Sequence, residues 1–407
     1  MSTTSLNRLR VVDITSGVAG GYCTRYLGDY GADVIKVEPP RVGEETRRGG
    51  PFHLDDPHPE KSLLFLFLNC NKRGVTLDIR SPSGREVFLS LIKDADVLIE
   101  SYAPGYLAEL GLGYETLSDV NPRLVMTSIT PFGQTGPYSN YLGNDLISYA
   151  MSGIMYTSGA YDREPLKHGH PQTYYMGGMN GAYATLGALY ARLTTGRGQQ
   201  VDVSLQEVDS AHAYGVAVFY SYAGVIERRA PKAEGSSFKG VRFEGIVPTS
   251  DGYISPSVSH GRQRPPFADF AELIGHPELD NPHFETPALR VGHAEELDAA
   301  VLPVLAEWSR HDFFHKAMEE GWVTGMVQTP EDLLNCPQLE ERGYFVELEH
   351  PVIGKTKFPG EIFRMSGTPW SLRAPAPLLG QHNKEVYCGE LGYTRQALVL
   401  LRQQGVI

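Results

Sequence analysis

Ala32-Asp33-Val34-Ile35-Lys36-Val37-Glu38-Pro39-Pro40 is the stretch on which the fold turns. Its β-branched run is too short for a helix, and two consecutive prolines stop it, so it reads as a strand. Upstream, Arg10-Val11-Val12-Asp13-Ile14 is another short β-rich run, and Tyr22 to Tyr30 between them can be helical. Strand, helix and strand make a βαβ unit. The pattern recurs as Gly74 to Asp78, a helix from Ser83 to Lys93, Asp96 to Glu100 and Leu124 to Ile129. Such alternation predicts an α/β fold, a doubly wound parallel sheet that takes ligands at the carboxyl ends of its strands. From Gly177 to Arg192 small residues alternate with Met, Tyr and Leu, which predicts a buried, closely packed helix before the strand Gln200 to Leu205. The composition turns polar around Arg228 to Lys239, and strands and helices resume beyond it. The expected division is a large domain from 1–225, a linker and small α+β domain over 226–335, and a return to the large domain over 336–407.

Composition narrows the function classes. The chain has 407 residues, and its 36 basic and 48 acidic side chains give a formal charge of -12, which repels phosphate backbones and anionic lipid. No nucleic-acid or membrane partner is expected, and a ligand suits the short basic stretch Asn71-Lys72-Arg73 better than a polymer. Four scattered cysteines form no C-x-x-C, so neither a zinc site nor a disulfide framework is indicated, and a cytoplasmic location is expected. Generic motifs leave the function open. Gly17-Val18-Ala19-Gly20-Gly21 lacks the dinucleotide spacing and reads as a tight turn before a helix. His311 and His315 lack the glutamate of H-E-x-x-H and read as a surface pair, and His168-Gly169-His170 reads as loop.

Longer strings are more specific. The opening stretch with Gly43-Glu44-Glu45-Thr46-Arg47 behind it, Asn69-Cys70-Asn71-Lys72-Arg73, Leu110-Gly111-Leu112-Gly113-Tyr114, Phe132-Gly133-Gln134-Thr135-Gly136-Pro137, Thr195-Gly196-Arg197-Gly198-Gln199 and Ala376 to Asn383 follow in order along the chain. Together they resemble the family III CoA-transferases of the CaiB/BaiF, or formyl-CoA transferase, superfamily. The resemblance implies a Rossmann-like large domain built from both chain ends, a smaller domain between them, and two subunits interlocked as rings. It also implies a coenzyme A thioester as substrate, with no covalently bound cofactor and no metal. Lys36, Arg47, Lys72 and Arg73 become the expected phosphate or adenine contacts, with Tyr102 as a further CoA-binding residue.

Family members use an aspartate that attacks the thioester and then carries CoA as an acyl-enzyme. Relatives place it four residues before a glycine, as D-x-x-x-G. Alignment on Gly178 puts Tyr174 there, and a phenol with an ordinary pKa of about 10 has no carboxyl carbon to carry CoA. Asp162 and Glu164 are the nearby substitutes, and Asp145 matches a family position that is not the nucleophile. Glu109 stands where relatives have an arginine, reversing the local field. The expectation is therefore a non-catalytic subunit that pairs with a homologous chain carrying the aspartate, as in the heteromeric benzylsuccinate CoA-transferases of anaerobic aromatic degradation. Succinyl-CoA would be the donor and an aromatic succinate the acceptor. The alternatives are an active homodimeric transferase, or an isomerase or racemase, using another residue, and a non-enzymatic assembly protein.

Overall fold

In the computed structural model, which describes residues 4–160, 163–229, 245–260 and 267–407, six strands form one parallel sheet. They are β1 (Arg10–Asp13), β2 (Asp33–Glu38), β3 (Lys72–Thr76), β4 (Val97–Glu100), β5 (Val125–Thr130) and β6 (Gln200–Ser204), in the order β3-β2-β1-β4-β5-β6. Successive side chains point to opposite faces, and each face carries an apolar layer, as a sheet covered on each side requires, with charged residues enclosed toward the strand ends. Val12, Ile35, Leu98 and Met126 pack with Val87, Phe88 and Leu91 of helix α2 (Pro82–Ile92). Their neighbours Val11, Val34, Val97 and Val125 pack on the other face with Cys23 and Leu27 of α1 (Val18–Asp29). The Ser81 side chain accepts from the Gly84 N–H and Pro82 opens α2, so that helix starts where its sequence says it should.

Two further helices are α3 (Asp145–Met151) and α4 (Gln172–Thr195). Glycines let α4 lie against α1: a Cβ at Gly178 would stand 2.4 Å from the Ala19 carbonyl oxygen. The helix expected to be buried rather than superficial is buried along one face only. Gly177, Gly178, Gly181, Ala182 and Thr185 are buried, but Tyr183, Tyr190 and Leu193 on the opposite side are exposed. Small residues alternate with large ones because only one face meets a neighbour closely.

The chain divides into two compact units. The first comprises Met1–Met155, Lys167–Tyr214 and Glu341–Ile407, and so contains the parallel sheet together with an antiparallel hairpin, β10 (Phe345–His350) and β11 (Gly354–Pro359). Within it the C-terminal segment docks on β3, where the buried Tyr387 hydroxyl donates to the Thr76 carbonyl at 2.9 Å. The second unit comprises Tyr156–Leu166 and Gly215–Glu340, with an antiparallel sheet of β7 (Val247–Pro248), β8 (Tyr253–His260) and β9 (Trp322–Met326) and its own core of Phe267, Phe270, Phe284, Leu297 and Leu305. The polar stretch read as a linker lies, from residue 230 to 244, outside the described residues. Among those described, no helix is long and apolar enough to cross a membrane.

Candidate active site

Strand order reverses between β1 and β4, and an open parallel sheet has its ligand crevice at the carboxyl ends beside such a switch. There β1 runs into Ile14-Thr15-Ser16-Gly17 and β4 into Ser101-Tyr102. Two hydrogen bonds tie the lips together: Ser16 N–H donates to the Ser101 hydroxyl at 3.0 Å, and that hydroxyl donates to the Ser16 carbonyl at 3.2 Å. Gly17 starts α1 in the left-handed region, at φ 85°, and its N–H donates to Glu44 Oε2 at 2.9 Å. Glu45 follows, its N–H donating to the Ser16 hydroxyl at 3.3 Å, and a Cβ at residue 17 would lie 2.5 Å from Glu45 Oε1. A glycine is needed at this point for its φ, and its missing Cβ also leaves room for the Glu45 carboxylate.

Beside this turn, Tyr102 stacks on Tyr106 with ring centroids 5.0 Å apart and lines a cavity of about 310 Å³ with Val37, Pro39, Val42 and Leu77. Arg80 stands on its rim, paired with Asp78 at 2.8 Å and largely exposed. A larger recess of about 730 Å³ is lined by Arg41, Lys384, Arg395 and Arg402 and by no acidic side chain. At the end of β4, burial pushes the Glu100 carboxyl up to about 7, which the Ser128 hydroxyl and the Tyr102 N–H offset only in part.

The cations expected from sequence lie elsewhere. Lys36 and Lys72 flank Asp13 at 3.1 and 3.2 Å, and all three are buried. Lys36 Nζ also donates to the Thr15 carbonyl, and Lys72 Nζ to the Thr24 hydroxyl, the Gly21 carbonyl and Asn69 Oδ1. Burial alone would raise the Asp13 carboxyl, but the two ammoniums and the hydroxyls of Thr24 and Thr15 hold it well below the carboxylate range. One carboxylate cannot balance two ammoniums. Lys72 is the one left short: burial, with Lys36 adding to it, pulls it down to about 8 despite Asp13. Arg47 forks onto Glu38, its Nε at 2.7 Å, reaches Glu60 at 2.6 Å, and lies 3.6 Å over the Phe65 ring. With exposures of 1, 0 and 2%, Lys36, Arg47 and Lys72 are internal counter-ions in this structure rather than rim cations. A charge enclosed in this way, on β2 and β3 or, for Arg47, on the short helix Glu45–Arg48, has no alternative to pairing. Arg73, near the amino end of β3 and away from the crevice, is held by Asp33, Glu385 and Glu390. Of the expected set only Tyr102 borders the crevice.

Tyr174 lies in the first turn of α4, half-buried against the core that includes Ala19 and Cys23. Burial raises its phenol; the Asp145 main chain opposes this, and the Asp145 and Glu45 charges add to it. The adjacent Thr173 donates its N–H to Asp145 Oδ1 at 3.1 Å and its hydroxyl to Asp209 Oδ2 at 2.8 Å, while Lys167 holds Asp145 Oδ2 at 2.6 Å. A cavity of about 430 Å³ beside Thr173 is lined by Tyr149, His168, Asp209 and His212. Glu109 is exposed on the short helix that carries Tyr106. Glu164 is an exposed residue of the second unit, and Asp162 lies outside the described residues. His311 and His315 face each other on an exposed helix, Nε2 to Nε2 at 3.0 Å. Among the described residues, His283, His293 and Glu296 of the second unit bring possible ligand atoms within 4.8 Å. Sequence reasoning missed Glu45, Arg41 and Arg80. Glu45 is two residues from Arg47, but no spacing shows that its carboxylate overhangs Gly17.

The crevice, the paired strand ends and the order of elements define a doubly wound α/β protein with a ligand site at the strand switch. The chain belongs to CoA-transferase family III, whose model matches residues 6–383. It is 34% identical over 403 residues to the succinyl-CoA:glutarate CoA-transferase of Mus musculus, covering 99% of this chain and 90% of that one. It is also 34% identical over 412 residues to the succinyl-CoA:(R)-benzylsuccinate CoA-transferase subunit BbsE of Thauera aromatica, covering 98% of each. A CaiB/BaiF family protein from Brucella suis superposes with a TM-score of 0.83 at 30% identity, covering 95% of this chain and 99% of its own. Movement of CoA between an acyl-CoA and a carboxylic acid is thus the activity class, with the CoA thioester as substrate.

Proposed function

We propose that this chain is an active CoA-transferase that takes CoA from a succinyl-type donor and gives it to a small dicarboxylic acid, using a carboxylate at a position other than 174. The observation that carries the reading is the switch-point crevice, with an aromatic wall at Tyr102 and a free carboxylate over the start of α1. Most of the similar proteins support it, being named as transferases without a subunit designation, among them those for glutarate and D-citramalate. The nucleotide end of CoA lies against Tyr102 and Tyr106, and its phosphates meet Arg80 and the cations around Arg41 rather than the buried Lys36, Lys72 and Arg47. Two subunits interlock, and the protein works in the cytoplasm.

A second reading has one observation in its favour. Tyr174 has no carboxyl carbon, and BbsE is named as a subunit, so a homologous chain with the aspartate would complete the enzyme. The chain purified alone should form a folded oligomer that converts succinyl-CoA and glutarate or benzylsuccinate into the exchanged pair. Turnover that appears only after addition of an aspartate-bearing homologue would overturn the first reading and establish the second.

A further inference from the structure

We propose that the Glu45 carboxylate is the nucleophile that carries CoA in this chain; the inference rests on the reading of the chain as an active transferase. A carboxylate that attacks a thioester needs lone pairs not already held by donors, and it needs access to the substrate. The acidic neighbours fail one condition or both. Glu44 is buried and accepts from the Gly17 and Thr46 N–H groups and from the Ser16 and Thr46 hydroxyls. Asp145 is held by Thr173 and Lys167, and Asp209, 4% exposed, by Thr173. Glu100 and Asp13 are enclosed.

Glu45 meets both conditions. It is exposed, and among the described residues no donor or cation engages its carboxylate. Its main chain is fixed by Ser16, and its Oε1 occupies the space that a Cβ at residue 17 would fill. That position overhangs the start of α1, where the Val18 and Ala19 N–H groups have no acceptor among the described residues. A thioester carbonyl drawn in beside Glu45 would have those amides, and the positive end of a helix of 12 residues, available for the oxyanion. Its charge also reaches the Tyr174 phenol, so the family's aspartate position and Glu45 share one field.

The step balances without any further reagent. A Glu45 oxygen bonds to the acyl carbonyl carbon, the C–S bond breaks, and CoA leaves as thiolate with a mixed anhydride behind it. The thiolate attacks the glutamyl carbonyl, releasing the donor as a carboxylate and leaving a glutamyl-CoA thioester. The acceptor carboxylate then attacks that thioester, and the returning thiolate takes the acceptor acyl group, restoring Glu45.

The test uses the full chain and succinyl-CoA as probe, with hydroxylamine trapping and peptide mass analysis, followed by transfer assays with glutarate. A hydroxamate on Glu45, loss of roughly a thousandfold or more in kcat for Glu45→Gln, and full adduct in Tyr174→Phe are expected. CoA binding by Glu45→Gln, measured by calorimetry, should match wild type, which separates lost chemistry from lost folding. An adduct on another residue, or Glu45→Gln that keeps wild-type turnover, would overturn the inference while leaving the transferase reading intact. A wild-type chain that neither binds CoA nor forms an adduct would overturn both.

Discussion

Two charged regions meet at β1 and behave in opposite ways. Below the strand ends, Asp13, Lys36, Lys72, Glu38 and Arg47 form a closed network in which nearly every donor and acceptor has a partner inside the protein. At the surface, Glu45 opens a short 3-10 helix, Glu45–Arg48, beside the start of α1, and Arg80 and Arg41 stand on turns after β3 and β2. The difference is one of placement. A charge enclosed by its neighbours, on a strand like Lys36 or on the short helix Glu45–Arg48 like Arg47, is retained only if paired, and once paired it has nothing left to offer a ligand. A charge whose head group faces outward, as Glu45 does from that same helix, keeps its hydration and can exchange it for a substrate.

The comparison breaks most visibly at Asp13. Asp13→Asn leaves two buried ammoniums facing each other, and urea denaturation should register a loss of about 3–5 kcal/mol. A loss under about 1 kcal/mol would mean that the network is hydrated and that the two regions do not differ. Glu100, between the regions, sharpens the contrast through pH. Its folded pKa of about 7 lies above the ordinary 4.5, so its contribution to stability is full below pH 4.5 and disappears as pH rises through 7. The shift corresponds to roughly 3 kcal/mol at most. Glu100→Gln should therefore gain on wild type between pH 5 and pH 8, as urea denaturation at the two values would show, and parallel pH profiles would refute the assignment.

Smaller effects are expected at the rim, and on binding rather than folding. Tyr102→Ala should raise KM for the CoA thioester about tenfold through the loss of its stacked surface, with the change in kcat much smaller. Arg80→Gln should raise KM only a few-fold at low salt and less at high salt, because the residue is exposed and screened. An unchanged KM in both variants would remove the crevice from the CoA site.

The parallel sheet was legible because its signal is local. Val11-Val12, Val34-Ile35, Val97-Leu98 and Val125-Met126 are short apolar runs separated by helical stretches, and both faces of each run are buried as such runs require. The middle of helix α4 was legible, but not its first turn, which begins at Gln172 and carries Tyr174 rather than starting at Gly177, nor its exposure, since the sequence shows that small residues recur without showing that α1 covers only one side. The candidate site was less legible still. Lys36, Arg47 and Lys72 look like ligand-binding cations in a one-dimensional string, and their partners Asp13, Glu38 and Glu60 are 23, 9, 59 and 13 residues away across the pairs that form.

By itself, then, the sequence determined the alternation of strands and helices, the family, and the absence of a carboxyl group at Tyr174, because each depends on residue type and order. Only the tertiary structure decided which charges are enclosed and which are free. Burial and counter-ion distance depend on how β1, β2, β3 and α1 pack together, and it is that packing which leaves the Glu45 carboxylate open above Gly17.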